Sequence, residues 1–322
     1  MGKTLVGMSA CIFLVLLAIA AHDPNKNGKA MSQITLEKLP LEGAGSAHRV
    51  VYCGASSRMF LGAMAEGKVA LDLFEVKERS VLPFTSIDLL LPAKMDFDLL
   101  ATGSEQGIIV AYEAHGGAIS QVRVQPIVAQ ERLQLPARKA LVDERRPRFV
   151  RGGGTAVVIS ENDEHAVDLE VGTTPRRMEL CTCLDAIALK TAIGLAVVEK
   201  TLRPGAQVAD VPPGALTLHW PWISDADTAR PLFDGRDVYD YDAITYTDGI
   251  VIAAVTIKGL EVEMVDHDRT EWSILANGLP EGHDLFSPAL NASDSALRIA
   301  TLARPTLQPE EPASLYFGSY HR

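Results

Sequence analysis

The sequence predicts an all-β fold, a β-propeller of about six four-stranded blades, on three observations. Most apolar runs beyond residue 44 are four to eight residues long, too short for ordinary helices. Turn chemistry built on Gly, Asn, Asp and Ser separates these runs into pairs. The centres of the pairs recur at about 40 to 55 residues, near the spacing of four-stranded blades. Such a ring must also close on itself, because an open sheet edge invites pairing with other chains.

The elements follow in chain order. Residues 1–21 read as a signal peptide: Lys3 precedes an uncharged run of 17 residues, and Ala18-Ile19-Ala20 supplies the small-x-small pattern read by a signal peptidase. The alternative is an uncleaved anchor, since that run sits at the short limit of a spanning helix. Either way the remainder is expected outside the cytoplasm, secreted or periplasmic, or tethered to a membrane through its N-terminus. Residues 22–31 read as a polar linker. Within it Asp23-Pro24-Asn25-Lys26-Asn27-Gly28 copies half of a calcium loop, but Ile34 stands where the bidentate Glu belongs. Residues 32–322 are then a single domain.

At its start, Gln33-Ile34-Thr35-Leu36-Glu37 is expected to complete the last blade by pairing with residues 314–320. Residues 58–65 and 68–76 flank Glu66-Gly67, a tight hairpin signal. Residues 99–102 and 108–112 flank a Gly103-to-Gly107 turn, and residues 155–160 and 166–171 flank a second polar turn. Residues 184–202 fit strands or one helical face made of Leu184, Ile187, Leu195 and Val198. Gly194 counts against the helix by about 1 kcal/mol. Residues 243–246, 250–257 and 260–265 form the next set, and residues 287–290, 297–302 and 314–320 the last.

Leu99-Leu100-Ala101-Thr102-Gly103-Ser104 followed by Gly107-Ile108-Ile109-Val110-Ala111-Tyr112 resembles a blade of the WD-repeat or quinoprotein-type propellers. Pro147-Arg148-Phe149, residues 155–160 and Asp168-Leu169-Glu170-Val171 are similar to a TolB-like blade. Phe286-Ser287-Pro288-Ala289-Leu290 before Ala296-Leu297-Arg298-Ile299-Ala300 repeats that likeness. The Ser-Pro-Asp-Gly turn usual in TolB-like blades is absent from both places. The resemblance implies the ring architecture and no particular ligand.

Composition excludes several classes. Against 41 Asp and Glu stand 30 Lys and Arg, a formal charge of −11, with no long basic run. That balance argues against nucleic acid and against an anionic membrane surface as partners. Hydrophobic residues at 47% and charged residues at 22% exclude a disordered chain. Beyond the leader, Cys53, Cys181 and Cys183 allow one disulfide by any of three pairings. Cys-x-Cys with no neighbouring His is a poor zinc site, and no metal or cofactor is predicted.

The densest polar constellation spans residues 219–249, with two of the three tryptophans, three of the seven tyrosines and seven aspartates. Aromatic faces stack on sugar rings, and aspartates hold hydroxyls or a catalytic proton. The candidate ligand-binding residues are Trp220, Trp222, Asp237, Tyr239, Asp240, Tyr241 and Asp242, expected on an inter-blade loop. If the segment is extended, Asp240 and Asp242 share one face and Tyr239 and Tyr241 the other.

Downstream, Asp266-His267-Asp268-Arg269-Thr270-Glu271-Trp272 resembles a degenerate Asp-box turn of sialidase-like propellers. An enzyme of that kind would also need an arginine triad, for which Arg49, Arg148 and Arg230 are available. Arg145, Arg146, Arg148 and Arg151 before Gly152-Gly153-Gly154 read as a solvated basic loop. Asn291-Ala292-Ser293 is a glycosylation sequon.

No complete catalytic motif is legible, and no catalytic residue is assigned. The sequence therefore predicts a non-catalytic binding or scaffolding module for a protein or glycan ligand. The rival is a carbohydrate-active hydrolase, sialidase-like or another propeller glycosidase, working from residues 219–249.

Overall fold

The computed structural model describes residues 33–40, 47–55, 58–65, 70–77, 80–88, 92–102, 107–114, 119–124, 131–133, 145–151, 158–161, 166–171, 174–179, 183–202, 213–220, 228–247, 249–266, 269–293 and 295–321. The expected signal peptide, the linker and its half calcium loop lie outside the described residues. So do Cys181, Trp222 and the turns at Glu66-Gly67 and Gly152-Gly153-Gly154.

Chain order builds the ring. Strand β1 (Glu37–Leu39) comes first and is used last. The first blade is β2 (Ala47–Ala55), β3 (Arg58–Ala65), β4 (Ala70–Lys77) and β5 (Ser80–Asp88). The second is β6 (Pro92–Thr102), β7 (Gly107–Ala114), β8 (Ile119–Val124) and β9 (Glu131–Leu133). The third is β10 (Arg145–Phe149), β11 (Val158–Glu161), β12 (Ala166–Val171) and β13 (Thr174–Glu179). The fourth is β14 (Cys183–Thr191), β15 (Gly194–Leu202), β16 (Gly214–Trp220) and β17 (Thr228–Pro231). The fifth is β18 (Val238–Tyr246), β19 (Gly249–Thr256), β20 (Gly259–Asp266) and β21 (Arg269–Leu275). The sixth is β22 (His283–Ser293), β23 (Ala296–Pro305), β24 (Ser314–His321) and, returning from the start of the chain, β1.

Every blade is an antiparallel meander, and the fourth and fifth touch edge to edge through the single pair Gly214 and Val238. The first strands of successive blades meet in the cycle β2, β6, β10, β14, β18, β22 and back to β2, so they surround the axis. This is a six-bladed β-propeller among the described residues.

Side-chain alternation explains how blades stack. On β3, Phe60 and Met64 face one way into a cluster with Phe97, Leu99, Ile108 and Val110 of the second blade. Leu61 and Ala63 face the other way, onto Ala300, Leu302, Leu315 and Phe317 of the sixth. Gly62 has no side chain because one would not fit: an added Cβ meets Leu99 Cδ1 at 2.7 Å. A strand buried on both faces is mostly apolar on both, and β19 is buried from end to end. Residues 186–189 and 195–198 are such apolar runs, and residues 184–202 form the hairpin β14–β15 rather than a helix, with Gly194 at φ +147° closing the turn.

Closure follows the expectation, shifted along the chain. Glu37, Lys38 and Leu39 pair antiparallel with Phe317, Tyr316 and Leu315. The residues just before them are stitched to the fifth blade instead: Leu36 N–H donates to Asn277 O (2.8 Å) and Asn277 N–H to Ile34 O (2.9 Å). Ile34 and Leu36 are buried. Gly318 lets the segment approach, since a Cβ there would lie 2.5 Å from Thr35 O.

Candidate functional site

Polar side chains on the inner strands stitch several neighbouring blades together. Asp98 on β6 accepts the Phe149 N–H of the third blade at Oδ2 (2.7 Å). Asp242 on β18 accepts the Leu290 N–H of the sixth at Oδ2 (2.7 Å), and Asp240 accepts the Ser287 N–H (2.7 Å). Ser287 Oγ in turn accepts the Val50 N–H of the first blade (2.8 Å) and donates to Val50 O (3.1 Å). Arg151, directly after β10, bridges to β14 by its backbone, donating N–H to Ala188 O (2.9 Å).

The Arg151 side chain then reaches across the axis. Its Nη2 lies 2.9 Å from Asp98 Oδ1 and, more loosely, 3.5 Å from Asp242 Oδ1. All three residues are buried. Burial pushes the Asp242 carboxyl above its ordinary value, and the Arg151 guanidinium and the Leu290 N–H offset this only in part. The residual cavity beside them measures about 10 Å³, no more than one water needs. Among the described residues, charge-assisted hydrogen bonds rather than apolar packing plug this part of the axis.

Beside this plug lies a larger groove of about 840 Å³ between the fifth and sixth blades. Its walls include Tyr239 and Asp240 of β18, Asp284 and Phe286 of β22, Arg304 of β23, and Arg49 of the first blade. Arg49, Asp240 and Ser287 border both groove and axis. Ser287 is buried and held at φ +51° directly before Pro288, a backbone conformation that costs a serine free energy. Its clamps from Asp240 and Val50 hold it there. The Arg304 guanidinium carbon sits 5.4 Å from the centre of the Phe286 ring. Asp284 accepts a hydrogen bond from Thr306 Oγ1 (2.9 Å).

The sequence candidates divide among three environments. Tyr239 and Asp240 line the groove, with Tyr239 41% exposed. Tyr241 and Asp242 point inward: the Tyr241 hydroxyl donates to Val198 O (3.1 Å), and Asp242 closes the axis. Asp240 and Asp242 do share the face towards the sixth blade, as alternation requires. They lie on the innermost strand of the fifth blade, however, not on a loop. Trp220 is buried in the core cluster between the fourth and fifth blades, which leaves its ring little surface to offer a ligand. Asp237 is half-buried beside a 3-10 turn over Phe233–Gly235.

That turn and the glutamates under it are structural. Phe233 and Asp234 have φ of +52° and +54°, and the Phe233 N–H is held by Glu263 Oε2 (2.9 Å). Arg236 Nη2 pairs with Glu261 Oε1 (2.9 Å). Of the three arginines open to a triad, Arg230 donates to Thr270 Oγ1 (2.6 Å) on the outer strands, whereas Arg49 lies on the inner strand of another blade. Arg148 is on β10, and its side chain is outside the described set. Cys53 and Cys183 lie on β2 and β14, the inner strands of the first and fourth blades, and their side chains are likewise outside it. Asn291 of the sequon is buried.

Sequence reasoning missed Arg151, which it placed on a solvated loop. It also missed Arg304, Asp284 and Phe286, which lie far from residues 219–249 in sequence. Among the described residues no group of three or more His, Cys, Asp or Glu could hold a metal.

No family model matches the chain, and no curated protein matches it in sequence. Solved structures do match in fold. A protein of unknown function from Dyadobacter fermentans superposes with a TM-score of 0.55 at 12% identity, over 91% of this chain and 99% of its own. The SapL1 lectin, solved with alpha methyl fucoside, gives 0.50 at 10% identity, over 80% and 92%. Trypanosoma rangeli sialidase, solved with sialic acid, gives 0.54 at 11% identity, over 91% of this chain but 57% of its own. At such identities the likeness is one of fold. The chain shares the propeller and no demonstrated chemistry.

Proposed function

We propose that this protein is a non-catalytic propeller lectin that works outside the cytoplasm and binds a glycan in the groove between its fifth and sixth blades. One observation carries the reading: beside the Arg151–Asp98–Asp242 cluster, the ring keeps open a groove of about 840 Å³, within the range of ligand sites. The groove combines an exposed aromatic ring, Tyr239, with donors and acceptors of both charges from three blades. Sugars need that mixture, because each ring presents an apolar face and a rim of hydroxyls. The lectin of similar fold solved with a fucoside supports the reading without assigning this groove.

The hydrolase alternative has less to stand on. Asp240, the deepest carboxylate of the groove, holds main-chain N–H groups with both oxygens, Tyr241 at 2.9 Å and Ser287 at 2.7 Å. Asp242, whose carboxyl is pushed up, belongs to the plug. The test is a glycan array probed with the full-length protein, alongside chromogenic glycosides. Binding without turnover, reduced by Asp284→Ala, is the expected result. Turnover abolished by Asp240→Asn in a folded variant would replace this reading with the hydrolase one. Silence on both would refute glycan recognition.

A further inference from the structure

We infer that the ligand of this groove is an acidic sugar, with a carboxylate received by Arg304. The inference rests on the glycan reading above and deepens it. Arg304 stands out in the groove as a charged side chain that is not ion-paired among the described residues. Its Nε is buried without an acceptor, and among the described residues its guanidinium has no carboxylate partner. A buried donor left without an acceptor is costly, and a charged one more so.

The nearest acid is directed elsewhere. Asp284 stands directly opposite Arg304 in the β22–β23 pairing, where a cross-strand ion pair would be the simplest outcome. Its Oδ1 instead takes the Thr306 hydroxyl at 2.9 Å. Asp240, the other groove acid, has both oxygens on main-chain N–H groups. The acids of the groove are thus engaged while Arg304 is not.

Arg304 is also held in place for a ligand. Its guanidinium lies against the Phe286 ring, which limits the rotamers it would otherwise lose on binding. A planar fork fixed in this way matches a carboxylate through two parallel N–H···O bonds, a match that a hydroxyl cannot make. Arg49 on the adjoining wall adds a second positive side chain to the same groove. His283 lines it as well. A neutral sugar offers Arg304 only uncharged hydroxyl acceptors. A uronate offers a charged acceptor that pairs with the guanidinium fork in the matching geometry.

The experiment compares methyl glucuronide with methyl glucoside, and methyl galacturonide with methyl galactoside, against the full-length protein by ligand-observed NMR and calorimetry. Arg304→Met keeps a long side chain over Phe286 and removes the charge; Arg304→Lys keeps the charge and removes the fork. A thermal melt confirms that each variant is folded. The expected result is a preference for uronates that weakens as salt rises and falls about tenfold or more in Arg304→Met, with partial recovery in Arg304→Lys. Equal binding of acidic and neutral glycosides, unchanged in Arg304→Met, overturns the inference and leaves the lectin reading standing. A stronger response to sulfated than to carboxylated galactosides overturns the carboxylate assignment. If none of these glycosides or the array glycans binds, the lectin reading falls and this inference with it.

Discussion

Strand β18 places two aspartates, Asp240 and Asp242, two residues apart, and they open onto opposite kinds of site. Asp242 ends in the plug, where it meets Arg151 and the Leu290 N–H and where the adjoining cavity measures about 10 Å³. Asp240 ends at the wall of a groove of about 840 Å³, where Arg304 still has a buried donor without an acceptor. Both regions are polar and both lie between blades. They differ in whether the cation is ion-paired: Arg151 meets two carboxylates, whereas Arg304 meets none among the described residues. Paired charges hold the ring, and an unpaired one beside open space marks the place where something else can bind. Perturbations of the plug should therefore change stability, and perturbations of the groove should change binding.

The largest effect should come from opening the ring itself. Deleting residues 33–39 removes β1 and the buried Ile34 and Leu36, and leaves β24 as a bare edge. The deletion variant is expected to lose the cooperative melt of the intact protein in circular dichroism. A melt identical to the parent's would mean that neither plug nor groove depends on closure.

Next comes the plug. Arg151→Met leaves Asp98 and Asp242 buried without their cation, which should cost about 3–5 kcal/mol in urea unfolding. The same substitution in a groove arginine should not: Arg304→Met removes a buried donor that has no acceptor and is expected to lose no stability. If the two variants lose equal stability, the division between holding and binding fails.

A third test reads the plug through pH. Because burial raises the Asp242 carboxyl in the folded state, the native protein keeps a proton that the unfolded chain has released. The stability associated with that proton is fully present below the ordinary value of 3.8 and is lost as pH rises through the raised one. Asp242→Asn keeps an oxygen for the Leu290 N–H and removes the titration. The difference in unfolding free energy between parent and Asp242→Asn should change across that interval and be flat above it. A flat difference throughout would show that the Asp242 carboxyl is not held above its ordinary range.

The smallest effect on folding, and the cleanest on binding, is expected from Asp284→Asn. The residue is exposed, so stability should move by no more than about 0.5 kcal/mol. Glycan binding should still change, because Asp284 lines the groove, stands opposite Arg304 in the strand pair, and would lose its charge. Unchanged array binding would remove Asp284 from the site.

Much of this ring was legible in the residues. The short apolar runs, the hairpin turns and the pairing of the two ends could be read locally, since a strand pair needs only a period of two and a turn. The segment at residues 184–202 was ambiguous because its runs 186–189 and 195–198 are buried on both faces and apolar on both, which weakens the alternation that identifies a strand. The cluster over residues 219–249 was legible as a polar concentration but not as a site. Four of its candidates fall on one inner strand, where pleating sends neighbours to different neighbouring blades. Arg151 looked like one of a basic run because nothing in its own sequence neighbourhood announces two aspartates 53 and 91 residues away.

By itself, then, the sequence determined the class of fold, the approximate number of blades and the strand pair that closes them, because these depend on contacts between segments adjacent in the chain or at its two ends. The tertiary structure alone decided which charges are consumed and which are left open. That outcome depends on inner strands of different blades meeting around one axis, and no local pattern encodes which distant side chain will arrive to satisfy a buried carboxylate or leave a guanidinium waiting.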